Sequence, residues 1–189
     1  EMERMAQELH DAAETRDRVG LLLEIGAVCN DATTEDGDPT ERALVAAAAD
    51  HGIDVAALRN GRERVDEVPF SSERKRMATV HDDVVYVKGA PGVVLERSSR
   101  VLTDDGPAEL DEATRERISE QVDSFADDAL RVLGFAYKER GDDGDTEENL
   151  VFVGLQGLMD PPRREVRDAI ADTHRAGIDV KMITGDNPD

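Results

Sequence analysis

Residues 64–91 read RVDEVPFSSERKRMATVHDDVVYVKGAP. Three short runs rich in β-branched residues, 64–70, 77–81 and 84–88, are separated by polar breaks, the last of them Asp82-Asp83. Runs of that length and composition form strands, and the breaks place turns between them, so this stretch predicts a strand followed by a hairpin. Pro91 can open a short helix to Arg97, since a proline at the first helical position loses no hydrogen bond.

Working outward, residues 110–130 carry Ile118, Val122, Phe125, Ala126 and Ala129 at helical spacing. Two more strands are predicted over 131–138 and 150–158, flanking a loop, 139–149, of mostly Gly, Asp, Glu and Thr that reads as solvated and mobile. Upstream, 19–28 is a helix-length apolar segment. Asp38 can cap a second helix with Pro39 at its first position and Glu41 three residues after the cap, with Gly52 ending it. After Asp160-Pro161-Pro162 the pattern changes to a helix over 163–176, then Gly177 and a strand over 179–183, which is the grammar of a parallel α/β sheet. The fold class is α/β of the α+β kind: an antiparallel sheet flanked by helices over 19–157, and a partial parallel α/β segment over 158–189. Residues 1–18 read as a linker or fraying helix.

Composition narrows the function. The longest unbroken apolar run, 43–49, is far short of the roughly 18 residues that cross a bilayer. Cys29 is the single cysteine, and no basic stretch leading into an apolar one opens the chain, so a reducing, cytoplasmic setting is expected. Forty-four acidic residues against 23 basic ones give a formal charge of -21, which disfavours nucleic acid and anionic membrane surfaces as partners. Only Lys75, Lys88, Lys138 and Lys181 are lysines, and so acidic a surface suits a halophilic host, where salt screens its self-repulsion.

Within this acidic chain, 70–77 form a basic island with Phe70 at its head and Met77 at its tail. Adenine needs a flat apolar partner and its phosphates need cations, and Phe70, Met77 and the Arg74-Lys75-Arg76 cluster supply those types. Taken alone, the island also fits a polar hairpin with two core residues. Lys88-Gly89 puts a lysine at a strand end beside a glycine that lets a ligand approach the backbone, or simply a solvated lysine before a turn. Glu41 can complete the helix cap or accept a hydrogen bond from an adenine amino group. Thr184-Gly185-Asp186 leaves a strand where α/β sheets bind phosphate, or is an ordinary turn. The histidines at 10, 51, 81 and 174 are scattered, and no metal-ligand or nucleophile-base spacing is present.

Taken together and in order, Cys29-Asn30-Asp31, the segment 37–41, Phe70 to Lys75, Lys88-Gly89-Ala90-Pro91, the segment 130–133, Asp160-Pro161-Pro162-Arg163 and the segment 182–186 resemble the P-type cation-transporting ATPases, in their calcium, sodium/potassium and proton pump branches. The resemblance implies a nucleotide-binding domain followed by part of a haloacid-dehalogenase-like phosphorylation domain. It implies that Phe70 stacks on adenine, that Glu41, Met77, Lys88 and Gly89 line or flank the adenine pocket, and that Lys75 and Arg131 serve the phosphates. Asp160, Pro161, Pro162 and Arg163 would form a hinge, and Thr184 and Gly185 would hold the γ-phosphate. ATP and Mg2+ are the implied cofactors; the partners are the phosphorylation, actuator and transmembrane domains of the same cell-membrane pump. The family's phosphorylated aspartate is not in this sequence, and Gly92 stands where the family usually has glutamate. A haloacid-dehalogenase-type phosphatase would instead need an Asp-x-Asp motif at an early strand end, and a non-enzymatic acidic interaction module would leave the ordered motifs unexplained.

Overall fold

The computed structural model describes residues 18–141, 146–159 and 164–181. Helix α1 covers 18–28, and is followed by α2 (Pro39–Asp50), α3 (Val55–Gly61), β1 (Asp66–Ser71), β2 (Arg76–Val80), β3 (Val84–Gly89) and α4 (Pro91–Glu96). Then come β4 (Ser98–Thr103), β5 (Gly106–Glu109), α5 (Glu112–Asp127), β6 (Arg131–Glu139), β7 (Leu150–Leu158) and α6 (Arg164–Arg175). The strands form one sheet in the order β1-β2-β3-β6-β7-β4-β5.

Alternation along the central strands divides the core into two faces. Met77, Val84 and Tyr86 pack with Ile25, Val28 and Cys29 of the α1 region and Leu44 of α2. The intervening Ala78, Val80, Val85 and Val87 pack with Val94 and Leu95 of α4 and with Ala136 and Phe152. Every residue of β2 and β3 is buried, as expected of strands covered on both faces. Successive side chains point to opposite sides, so Lys88 shares the α1 and α2 face with Tyr86, while Arg76 shares the α4 face with Ala78.

The first hairpin region forms as the sequence predicts, with β1, β2 and β3 successively antiparallel. Asp38 caps α2 by accepting from the Thr40 amide at 2.8 Å, with Pro39 in the first turn. Three elements were not foreseen. The β4–β5 hairpin carries Ser98, Ser99, Arg100, Gly106 and Pro107, weak strand formers that are held by pairing, and β4 runs parallel to β7, so the sheet is mixed rather than antiparallel throughout. The short α3 is capped by Asp54. Helix α5 is shorter than its periodicity suggests: Ala129 turns left-handed at φ 57° and closes onto the Ala126 carbonyl.

The acidic loop is not solvated throughout, since Glu147 is 5% exposed. Past α6, residues 178–181 form no strand. The proposed hinge, Asp160 to Arg163, and Thr184 and Gly185 lie outside the described residues, as do most of the predicted N-terminal linker and the end of the predicted parallel segment.

Gly89 has a packing reason that the sequence reading missed. A Cβ there would meet the Lys75 carbonyl oxygen at 2.4 Å and Arg76 Cβ at 2.7 Å, so the close approach of the neighbouring strand by itself requires a glycine here. Gly89→Ala is expected to destabilise the fold by about 1–3 kcal/mol in urea unfolding.

His81, 2% exposed, points Nδ1 at the carbonyls of Arg62 and Glu63, both at 3.1 Å, which makes Nδ1 the donor and leaves Nε2 to accept from Thr79 Oγ1. Burial lowers its pKa, against the opposing effect of those two carbonyls. The unfolded chain therefore takes up this proton first, so stability falls as pH drops below about 6.5 and levels off below the folded-state pKa. Urea midpoints between pH 7.5 and 5.5 should fall more in the parent than in His81→Gln.

Candidate functional site

β1, β3 and β6 come together at one end of the sheet, where β1 and β3 finish and β6 begins. The start of α2 lies beside them. Together they enclose a cleft of about 530 Å³ lined by Asp38, Thr40, Glu41, Phe70, Lys75, residues 88–91 and residues 131–133. Six of the residues singled out from sequence, Glu41, Phe70, Lys75, Lys88, Gly89 and Arg131, thus meet from four separate segments.

Phe70, next to last in β1, is 61% exposed and lines the cleft, an aromatic side chain open to a planar ligand. Opposite it, Lys88 Nζ donates to Glu41 Oε1 at 2.6 Å. The lysine side chain is 8% exposed and the carboxylate 22%, so this pair is largely withdrawn from water and neither charge is well placed to lose its partner. Asp38 serves as the helix cap, which frees the Glu41 side chain for the pair, so the expected capping role for Glu41 gives way to the contact with Lys88. The main chain of Glu41 is fixed separately. Asn30, 1% exposed, donates from Nδ2 to the carbonyls of Gly26 at 3.0 Å and Glu41 at 2.8 Å, tying the end of α1 to the first turn of α2.

Arg131 reaches the same wall, donating to Thr40 Oγ1 at 3.1 Å. Lys75 sits on the turn between β1 and β2 with φ 54°, its side chain exposed at the cleft. Among the described residues, neither Lys75 nor Arg131 has a carboxylate partner.

The other two cations of the basic island are elsewhere. Arg74 and Arg76 grip the two carboxylate oxygens of Glu147, at 3.0 and 2.7 Å, and do not line the cleft. Of the three cations that the island offered, Lys75 alone lines the cleft; alternation sends Arg76 to the α4 face. Met77 is likewise not on the cleft wall. It is 2% exposed and pairs across strands with Lys88, so it packs beneath the site. Asn30 and Glu147 are the site-supporting residues that sequence reasoning passed over; the Cys29-Asn30-Asp31 triplet was a signal for the first, and nothing in the loop's composition marks the second.

A seven-stranded mixed sheet with helices on both faces and a cleft at a strand end defines an α/β domain of the α+β kind. The family model for the cytoplasmic domain N of P-type ATPases matches residues 18–165, so the chain belongs to the P-type ATPases. It is 43% identical over 86% of its length to the cation-transporting ATPase pma1 of Synechocystis, and 42% identical over 89% to calcium-transporting ATPase 1 of Bacillus cereus. It is 38% identical over 89% to the sodium/potassium exporting P-type ATPase cta3 of Schizosaccharomyces pombe. The chain spans about a fifth of the length of these relatives, 20%, 20% and 18% respectively.

The Glu41–Lys88 pair should be measurable in the folded domain. A double-mutant cycle of Glu41→Gln and Lys88→Met, read by urea unfolding, is expected to give a coupling of about 1–3 kcal/mol.

Proposed function

We propose that this chain is the ATP-binding module of a membrane cation pump and presents the γ-phosphate to an aspartate on another part of the same protein. The observation that carries the reading is the meeting of an exposed aromatic, Phe70, a buried polar pair, Glu41 and Lys88, and two cations, Lys75 and Arg131, around one cleft. These are the components adenine and phosphates require: a ring to stack on, fixed polar groups at the base edge, and positive charge at the phosphate end.

In this reading adenine lies on Phe70, with its edge toward Glu41 and Lys88. The triphosphate passes Lys75 and Arg131. Met77 supports Lys88 from below. Thr184 and Gly185 receive the γ-phosphate, and the segment from Asp160 to Arg163 is the hinge about which residues 19–157 close on the domain that begins within 158–189. The aspartate carboxylate attacks the γ-phosphorus, the bond to the β-phosphate oxygen breaks, and ADP leaves with that electron pair. This module contributes position: it raises the local concentration of the phosphoryl group at its acceptor.

Mg2+ enters with the ATP phosphates, whose charge it neutralises; among the described residues no group of three or more His, Cys, Asp or Glu could hold a metal. The transported ion is a cation, calcium by preference, on the strength of what the relatives are called. The module then works on the cytoplasmic side, with the phosphorylation, actuator and transmembrane domains of the pump as its partners. No described helix is itself long and apolar enough to cross a membrane.

The charge of -21 repels ATP at long range, and salt screens that repulsion over about 3 Å at 1 M. A halophilic setting follows as part of the proposal.

The test is calorimetric titration of ATP, with and without Mg2+, into the chain at high salt. The parent should bind saturably without forming a phosphoenzyme. Phe70→Ala should weaken binding about tenfold, the cost of one lost base stack, and Lys88→Ala should weaken it as well. Binding should strengthen from low to high salt. No binding by a folded parent would favour the acidic interaction module instead.

A further inference from the structure

The turn between β1 and β2 holds Lys75 in an unusual backbone conformation. A lysine at φ 54° occupies the left-handed region, which costs a side-chain-bearing residue roughly 1–2 kcal/mol. Something must hold it there. Two backbone bonds contribute: the Lys75 amide donates to the Ser71 carbonyl at 2.7 Å, and the Ala90 amide donates to the Lys75 carbonyl at 2.9 Å.

The remaining hold crosses over Lys75 itself. Arg74 Nη2 donates to the Arg76 carbonyl at 3.0 Å, and Arg76 Nη1 donates to the Arg74 carbonyl at 3.2 Å. The same two guanidiniums close on Glu147, Arg74 on Oε1 and Arg76 on Oε2. The Arg76 and Glu147 side chains are 10% and 7% exposed, so the contact is sheltered from solvent and salt. Glu147 belongs to the β6–β7 loop, 71 residues along the chain from Arg76. The next residue, Glu148, pairs with Arg97, so this end of the loop is pinned twice.

We infer that Glu147 is a positioning residue for the cleft: by clamping Arg74 and Arg76 it fixes the left-handed turn that presents Lys75 to the phosphates of a bound nucleotide. The inference rests on the ATP-binding reading. Its logic is electrostatic. With the carboxylate in place, two neighbouring cations are drawn to one point and the residue between them is turned outward into the cleft. Without it, two sheltered like charges repel, and the turn relaxes away from φ 54°. Glu147 does not itself line the cleft; its bonds to Arg74 and Arg76 connect it to the turn that does.

The test compares two ligands that differ only in their phosphates. ATP and adenosine are titrated by NMR into the parent chain, Glu147→Gln, Lys75→Met and the double variant. Glu147→Gln should lose about tenfold in ATP affinity, within the range of couplings between contacting groups, and keep its adenosine affinity. In the Lys75→Met background it should cost nothing further. A general loosening would weaken both ligands alike, and an unchanged ATP affinity in Glu147→Gln, or losses that add to those of Lys75→Met, would overturn the inference. Should Glu147→Gln not fold, Arg74→Gln leaves the Arg76–Glu147 bond intact and should show a smaller loss, again confined to ATP. A parent that binds neither ligand would overturn the ATP-binding reading and this inference with it; a parent that binds ATP no better than Glu147→Gln does overturns this inference alone.

Discussion

Strands β2 and β3 are buried at every position, yet they carry Arg76, Thr79, Tyr86 and Lys88. A polar group withdrawn from water must find a partner, and a charge most of all. Much of the molecule's arrangement follows from that constraint. Three carboxylates from three distant segments meet this hairpin: Glu41 of α2 at Lys88, Glu147 of the β6–β7 loop at Arg76, and Glu24 of α1 at the Tyr86 hydroxyl. The Tyr86 phenol shows the strength of the demand. Burial first, and then the Glu24 carboxylate, push its pKa far above the ordinary value, so it remains a donor. Arg62 shares Glu24, at 2.8 Å, and lies over the Tyr86 ring, which joins the exit of α3 to the same cluster.

The cleft is a by-product of satisfying those demands at the end of the hairpin. Glu41 has to reach Lys88, so α2 must begin beside the end of β3, and a short, ordered path from α1 is needed to bring it there. Asn30 supplies the junction, with Arg59 and Arg64 taking carbonyls at and just beyond the end of α1: Arg59 bonds Ala27 and Ala32, and Arg64 bonds Val28 and Asn30. Carbonyls at a helix end are orphaned unless something of this kind meets them. With α2 fixed, its first turn forms one wall, Phe70 and Lys75 another, and the start of β6 a third.

What the sequence could and could not reveal follows the same physics. Local signals were sufficient where the pattern is short-ranged: alternation gave β1 to β3, and Asp38-Pro39 gave the start of α2. The β4–β5 hairpin was hidden because its residues have little strand preference of their own, and β4 owes its place to pairing with β7, some 50 residues later. Phe70, Lys88 and Glu41, which meet at one cleft, were legible as a candidate site because their residue types recur in a recognisable order. The division of labour among Arg74, Lys75 and Arg76 was not, since composition marks all three as cations and only the strand's alternation and a distant carboxylate distinguish them. Glu147 was the hardest to read. It lies among residues whose composition says solvent, and the two arginines that it bonds are far away in the chain.

The cleft itself has three cations, Lys75, Lys88 and Arg131, against two carboxylates, Asp38 and Glu41. So small a local excess cannot offset a chain charge of -21 over long distances. Salt acts unequally on these two scales. It screens the repulsion between exposed charges across the surface, while the sheltered pairs Lys88–Glu41 and Arg76–Glu147 are screened much less. The groups that shape the cleft are therefore those that added salt disturbs least, and the force that keeps an anion away is the one it weakens most. An acidic domain built in this way can tolerate its surface charge because its cleft is held together by buried contacts rather than by the overall field.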